Sequence, residues 1–479
     1  MSEVKSKEFQ SASKAALNDK GLQRLLGRVV HGFADLRDAA VEEVTEPVWE
    51  QLRERARSIK QQTLANLDYY LELVDKSVTR NGGHVHFAKD ADEANKIVLE
   101  IAKRHDVKRV VKSKSMVSEE MGINQVLEAN GIEPVETDLG EYIIQLAKET
   151  PFHIIAPALH KSREQVSDLF HDWLKSQPTN EIEELCRIAR DELRDKFATA
   201  DMGITGANFI VAETGTVMLV TNEGNGRMTT SAPRVLVTLA GMEKVVPALE
   251  DLATFIRLLP RSATGQRISA YTTFLGGPRS ATDEDGPEEY HLVLVDNGRM
   301  NVLKDPEMRE VLQCIRCGAC LNTCPVYQKV GGHAYGWVYS GPIGAILTPL
   351  LVGMDEGKEL PFASSLCGAC KDVCPVKIDI PRLLLRLRGR ATEGGNGVKG
   401  SAPWIQKLMV RRWFSSVKTR QAMNRSAKLG RLLQRPVARG GRIKRIPLPM
   451  VSGWTQQRDF PALAPKSFSE VWRDSLDKP

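Results

Sequence analysis

Seven of the eight cysteines fall in two stretches whose spacing suits one kind of chemistry. The first is Cys314-Ile-Arg-Cys317-Gly-Ala-Cys320-Leu-Asn-Thr-Cys324-Pro325, a C-x2-C-x2-C-x3-C-P run of the kind that holds [4Fe–4S] clusters in bacterial ferredoxins. Iron in such clusters takes thiolates. Three closely spaced cysteines serve three corners of one cube, and the fourth, ahead of a proline that turns the chain, reaches a different cube. A second copy is therefore expected, and Cys367-Gly-Ala-Cys370-Lys-Asp-Val-Cys374-Pro375 supplies it. Crossed ligation assigns Cys314, Cys317, Cys320 and Cys374 to cluster one, and Cys324, Cys367 and Cys370 to cluster two.

The position matching the cysteine missing from the second copy is Ser364. The Ser364 oxygen, water or a partner's side chain can meet that corner, or the cluster is [3Fe–4S]; the sequence leaves these open. Structural zinc is the rival, but zinc favours four ligands in two separated C-x2-C pairs, and a run of four with a proline after each set does not fit that pattern. Cys186, in the helical stretch Glu183-Glu-Leu-Cys-Arg-Ile, reads as a buried core thiol.

These cysteines need elements to hold them. Residues 1–75 read as a helical lead-in, with Trp49, Leu52, Ile59, Leu64, Leu67, Tyr70 and Leu71 at spacings near three and four. Residues 76–300 alternate strands and helices, which argues an α/β domain with a mostly parallel sheet. Predicted strands are 84–88, 109–111, 152–156, 208–212, 216–221, 235–239 and 291–295, and helices span 92–104 and 116–130. Thr214-Gly215 predicts a hairpin, hence a mixed sheet. Residues 301–392 form the two-cluster domain, entered by a helix that Asp305-Pro306-Glu307 opens and left by one over 381–392. Gly394, Gly395, Gly397 and Gly400 mark a linker, and 393–479 form a basic tail with Trp404, Trp413, Trp454 and Trp472.

Weaker signals lie in the α/β part. Lys112-Ser-Lys114-Ser115 falls where a strand gives way to a helix, and suits either an anion or a plain serine cap with solvated lysines. Glu213 to Thr216, Asn225, Arg227, His160 and Lys161 are further loop candidates. Open α/β sheets bind ligands at the carboxyl ends of their strands. The G-x-G-x-x-G match at 395–400 follows a helix rather than a strand and reads as linker, and Gly353 to Glu359 lacks the spacing of a P-loop.

The chain has 479 residues, 42% apolar and 26% charged, a globular composition too long for one core. Its net charge of +6 hides an asymmetry: between Glu393 and Asp459 lie 15 Lys and Arg and no acid, which leaves the rest at −9. That segment points to docking on a protein in preference to nucleic acid, since no nucleic-acid-binding module accompanies it. The longest nearly apolar run, Gly341 to Gly353, is too short to span a bilayer, and the N-terminus lacks the apolar region of a secretory signal. A cytoplasmic location is expected.

The order of VVKSKSMVSEE, AETGTVMLVTNEGNGRM, CIRCGACLNTCPVY and SSLCGACKDVCPVKIDIP resembles the lactate utilization protein B family. The resemblance covers about 40–479. It implies a lactate-utilization domain related to sugar-phosphate isomerases and CoA transferases, followed by an α-helical ferredoxin module. It implies an iron–sulfur subunit of a system oxidising L-lactate to pyruvate. Its partners would be a cysteine-rich subunit resembling heterodisulfide reductase and a small subunit with another lactate-utilization domain. The family shares the seven-cysteine pattern, so Ser364 is no departure from it. With no nicotinamide or flavin fingerprint, the clusters read as an electron conduit to an unknown acceptor. The alternatives are an iron–sulfur subunit of another hydroxy-acid or glycerol-phosphate dehydrogenase, and a redox-sensing nucleic-acid-binding protein.

Overall fold

The computed structural model describes residues 2–395, 399–401, 403–446, 455 and 458–475. It divides into two compact units, Met1–Ala391 and Thr392–Pro479. In the first, four helices (Phe9–Asn18, Lys20–Glu42, Glu46–Ala65, Leu67–Arg80) precede ten strands. The strands are β1 (His84–Ala88), β2 (Arg109–Lys112), β3 (Glu133–Glu136), β4 (Met202–Thr205), β5 (Phe209–Val211), β6 (Val217–Thr221), β7 (Val235–Gly241), β8 (Val245–Val246), β9 (Tyr271–Leu275) and β10 (Glu289–Val295).

Six of them form an all-parallel sheet in the order β1-β10-β7-β4-β2-β3. Parallel strands need both faces covered, and the alternation of side chains shows how this is done. Val235, Val237 and Leu239 of β7, with Val293 and Val295 of β10, pack on the Ala91–Arg104 helix through Ala94, Val98 and Ile101. Leu236 and Ala240, with Tyr290, Leu292 and Leu294, face the opposite way. That second core runs without a break through the N-terminal helices, the small sheet and the cysteine segment.

The hairpin at Thr214-Gly215 forms, but β5 and β6 belong to a separate four-stranded mixed sheet, β8-β5-β6-β9. Gly215 takes φ +73° there, and a Cβ would meet the backbone of Ser77 and Val78 at 2.8–2.9 Å. The predicted strand over 152–156 does not form. Its apolar residues turn on themselves: Phe152 N–H donates to Pro157 O at 2.9 Å, and Ile155 N–H donates to His153 Nδ1 at 3.0 Å. Burial against the cysteine segment, where Tyr327 donates to Phe152 O, gives the same apolar composition a different cause.

The 116–130 helix is two, broken at Gly122 in the left-handed region. Asp305 caps a turn and then a 3-10 segment, Arg309–Gln313, not an α-helix; its carboxylate also pairs with Arg390. Helix Ile380–Glu393 appears where a helix is expected. Cys186 is exposed, not core: it falls beside buried Leu185, one step round the helix toward solvent. The second unit contains helices Trp404–Val417, Arg420–Gln434 and Phe468–Ser475. Gly397 and Trp454 lie outside the described residues. Among the described residues no helix is long and apolar enough to cross a membrane.

Candidate metal centre and adjoining cavity

The two cysteine stretches repeat one backbone shape fifty residues apart. Arg316 and Leu366 both take the left-handed conformation, at φ +60° and +57°, and Gly318 and Gly368 follow suit at +78° and +93°. A short helix comes next in each copy, Ala319–Asn322 and Ala369–Asp372. The correspondence extends to hydrogen bonds: Arg316 N–H donates to Cys314 Sγ at 3.4 Å, and Leu366 N–H donates to Ser364 Oγ at 3.1 Å. Ser364 therefore holds the place in the second loop that Cys314 holds in the first.

Cys314, Cys317, Cys320 and Cys374 line a single small hollow, closed by Ile154, Ile315, Ile343, Val376, Ile378 and Ile380. Three come from the first copy and one from the second. Cys324 lies in the electrostatic reach of Cys367, and Cys370 in that of both. Burial raises the thiols of Cys317, Cys320 and Cys324 above the ordinary range, Cys374 to about 11 and Cys370 to about 12, and neighbouring sulfurs add to it. Thiols crowded in an apolar hollow are costly to ionise alone. A cationic iron centre supplies the charge that permits it, so these residues fit an iron–sulfur group. Backbone N–H groups already point at sulfur, Ile378 to Cys374 Sγ at 3.3 Å among them.

The N-terminal helices, which show no chemistry in the sequence, brace this centre. Arg53 donates from Nε to Cys374 O at 3.0 Å and from its guanidinium to Asp372 O at 2.8 Å, satisfying carbonyls at the end of the second short helix. Lys60, buried, donates to the carbonyls of Glu243 and Val245. Burial lowers it to about 7, against the pull of Glu243.

Next to the hollow lies a cavity of about 270 Å³ at the carboxyl ends of β2, β4 and β7. Arg316 and Ile154 line both spaces. Arg316 stacks over Tyr339 at 4.9 Å and bonds Glu243 at 3.1 Å, while its Nη1 is buried without a partner. Glu243 also accepts from Arg299 at 2.7 Å, and Arg299 grips Glu120 through two bonds of 2.8 Å. Burial alone would raise Glu243, but the two guanidinium groups hold it down at about 2. This buried chain of charges ties the sheet to the cysteine loop.

The candidates from the α/β part separate here. Lys114 lines the cavity and donates to Ile155 O at 2.6 Å; Ser113, Ser115 and Asn225 line it too. Ser115 is also the cap of its helix, accepting from Ser118 N–H at 3.2 Å. Lys112 is fully buried in ion pairs with Glu136 and Glu119, away from the cavity. Glu213 to Thr216 sit at the hairpin against the Leu67–Arg80 helix, Arg227 is exposed beside Tyr271, and His160 and Lys161 both bind Glu149. Arg316, Lys244 and Asn208 are cavity residues that sequence reasoning missed. Arg316 stood in plain view inside the first C-x2-C, but no spacing rule marks the residue between two ligands.

Comparison with known proteins finds matches for two regions of the chain. The LUD domain model matches residues 71–295 and the 4Fe-4S dicluster domain model matches 310–378, which implies iron–sulfur clusters in the second. The chain is 48% identical to lactate utilization protein B of Bacillus licheniformis over 89% of its length and 88% of that protein's. The counterpart in Geobacillus thermodenitrificans is 46% identical over 98% and 94%, and that of Bacillus subtilis 48% over 89% and 88%.

Proposed function

The chain belongs to the lactate utilization protein B family, and from that premise we propose that it is the electron-carrying iron–sulfur subunit of a cytoplasmic complex oxidising L-lactate to pyruvate. Cys314, Cys317, Cys320 and Cys374 hold cluster one. Cys324, Cys367 and Cys370 hold cluster two, with Ser364 at its remaining corner. The observation that carries this reading is the hollow in which a cysteine of the second copy joins three of the first. Crossed ligation places two centres side by side, which is what a short electron path requires.

When bound, such clusters accept and release one electron at a time. The chain's own residues do the rest. Isoleucines exclude water from the first hollow, backbone N–H groups stabilise negative charge on sulfur, and Arg316 sets a fixed positive charge between hollow and cavity. Lys114, Lys244 and Arg316 give the cavity cationic groups suited to a small carboxylate, with Asp138, Glu223 and Glu243 as the opposing charges. Converting a hydroxy acid to a keto acid removes two electrons and two protons, so the complex needs a further redox centre or a second transfer. The cysteine-rich and small lactate-utilization subunits are the partners on this reading. The tail, with exposed Trp404, Trp413 and Phe414 among its basic residues, is assigned to protein docking.

The test is anaerobic purification with native partners followed by addition of L-lactate. Bleaching of the cluster absorbance by lactate, with acid-labile sulfide present, is the expected result. Colourless material after reconstitution, or an intact brown complex that lactate leaves unchanged, would overturn the assignment.

A further inference from the structure

A different group of metal-ligating side chains lies at the amino ends of the parallel strands, away from the cavity at their carboxyl ends. β1 and β10 run in register with His84 opposite His291. Side chains two residues apart share a face of a sheet, so Glu289 and His291 of β10 meet His84 and His86 of β1. His105, on the turn before β2, completes the group. Its main chain is anchored by a bond from Arg234 to His105 O.

The geometry is that of a carboxylate between two imidazoles. Glu289 Oε1 lies 2.9 Å from His291 Nε2, and Oε2 lies 2.9 Å from His105 Nε2. Both nitrogens are buried, and the Glu289 carboxylate is the group that faces each of them. His291 is only 1% exposed, so its ring is closed off from bulk water. Its other nitrogen, Nδ1, is 3.0 Å from His86 Nε2, and the His84 ring stacks on it at 5.1 Å between centroids. One ligand atom from each of His105, Glu289 and His291 falls within 4.8 Å of the others.

We propose that His105 Nε2, His291 Nε2 and the Glu289 carboxylate form a binding site for a divalent transition ion of the zinc class, with His86 positioning the His291 ring. Zinc bonds of about 2.0–2.2 Å to nitrogen and carboxylate oxygen are reached by small side-chain rotations, and three protein ligands leave one position for water. A proton on His291 Nδ1 shared with His86 fixes the tautomer that offers Nε2 to the ion. Glu289 brings the single negative charge. Arg104 approaches the same carboxylate at 3.7 Å, but its side chain is 61% exposed and has room to turn outward. The other such gathering, Glu149, His160 and His333, is poorer: Lys161 occupies its carboxylate and His333 bonds Thr150 O at 2.8 Å.

The site is independent of the lactate reading and is tested on the full chain with its iron–sulfur centres loaded. Chelator-treated protein is dialysed against zinc, and zinc and iron are counted per chain. One zinc beyond the iron content is expected. His105→Ala and His291→Gln should lose it with iron and visible absorbance unchanged, and His86→Phe should weaken zinc binding about tenfold or more. No retained zinc in the parent, or zinc retained equally in both ligand variants, overturns the proposal. Zinc gained only as iron is lost would place it on the cysteines and overturn it too.

Discussion

At the scale of single residues, Ser364 is the sharpest position. Its loop has the fold of the Cys314 loop, down to the N–H that Leu366 directs at the side-chain oxygen. Ser364→Cys should therefore place a sulfur at the fourth corner of the proposed second cluster. Iron per chain should rise toward about eight and be released more slowly to a chelator. Unchanged iron and release kinetics would argue against the crossed assignment.

Glu141 gives a prediction in pH. It is buried, neither carboxylate oxygen has a partner, and burial followed by repulsion from Glu136 and Asp138 raises its pKa well above the usual range. The folded state thus holds a proton that the unfolded state releases. Its stabilising contribution is complete below the unfolded value near 4.5 and declines as pH rises toward the folded one. Glu141→Gln, which cannot ionise, should leave stability near pH 4 almost unchanged and raise it at pH 8. Denaturant melts at the two pH values check this; equal effects at both would refute it.

At the scale of elements, the segment 152–156 shows how an apolar run misleads. Composition favours a strand, yet the chain forms a knot of turns wedged beneath the cysteine segment. Gly332 marks how tight that wedge is, since a Cβ there would sit 1.6 Å from Phe152 O. Gly332→Ala should destabilise the protein by about 3 kcal/mol or prevent folding. Gly276→Ala, where a Cβ meets nothing within 4 Å, should not. Thermal unfolding of the pair decides it. The helices before the sheet carry a similar lesson: Arg53 and Lys60 look like solvated charges by period alone, and are buried donors serving carbonyl groups.

At the scale of the whole molecule, the chain separates at residue 392, within the helix that follows the last cysteine. Among the described residues, the buried apolar core of the first unit reaches Leu387. A chain ending at Glu393 should keep its iron content and the unfolding transition of the main body, and should lose association with the proposed partner subunits. Co-purification with and without the tail checks this; loss of iron on truncation would show that the tail supports the centre itself.

What the sequence determined by itself was local and chemical. The seven cysteines, their two-copy spacing, the gap at Ser364, the parallel sheet and most of its strands follow from residue type and short-range period, which act within a dozen residues. The tertiary structure alone decided what is brought together across hundreds of residues. It put Arg53 on the carbonyl of Cys374, Arg316 between hollow and cavity, and His105 beside His291. It also put Cys186 in solvent, one step round its helix from a core position. Such pairings are set by packing of whole faces and by the need to partner every buried charge, and no spacing along the chain encodes them.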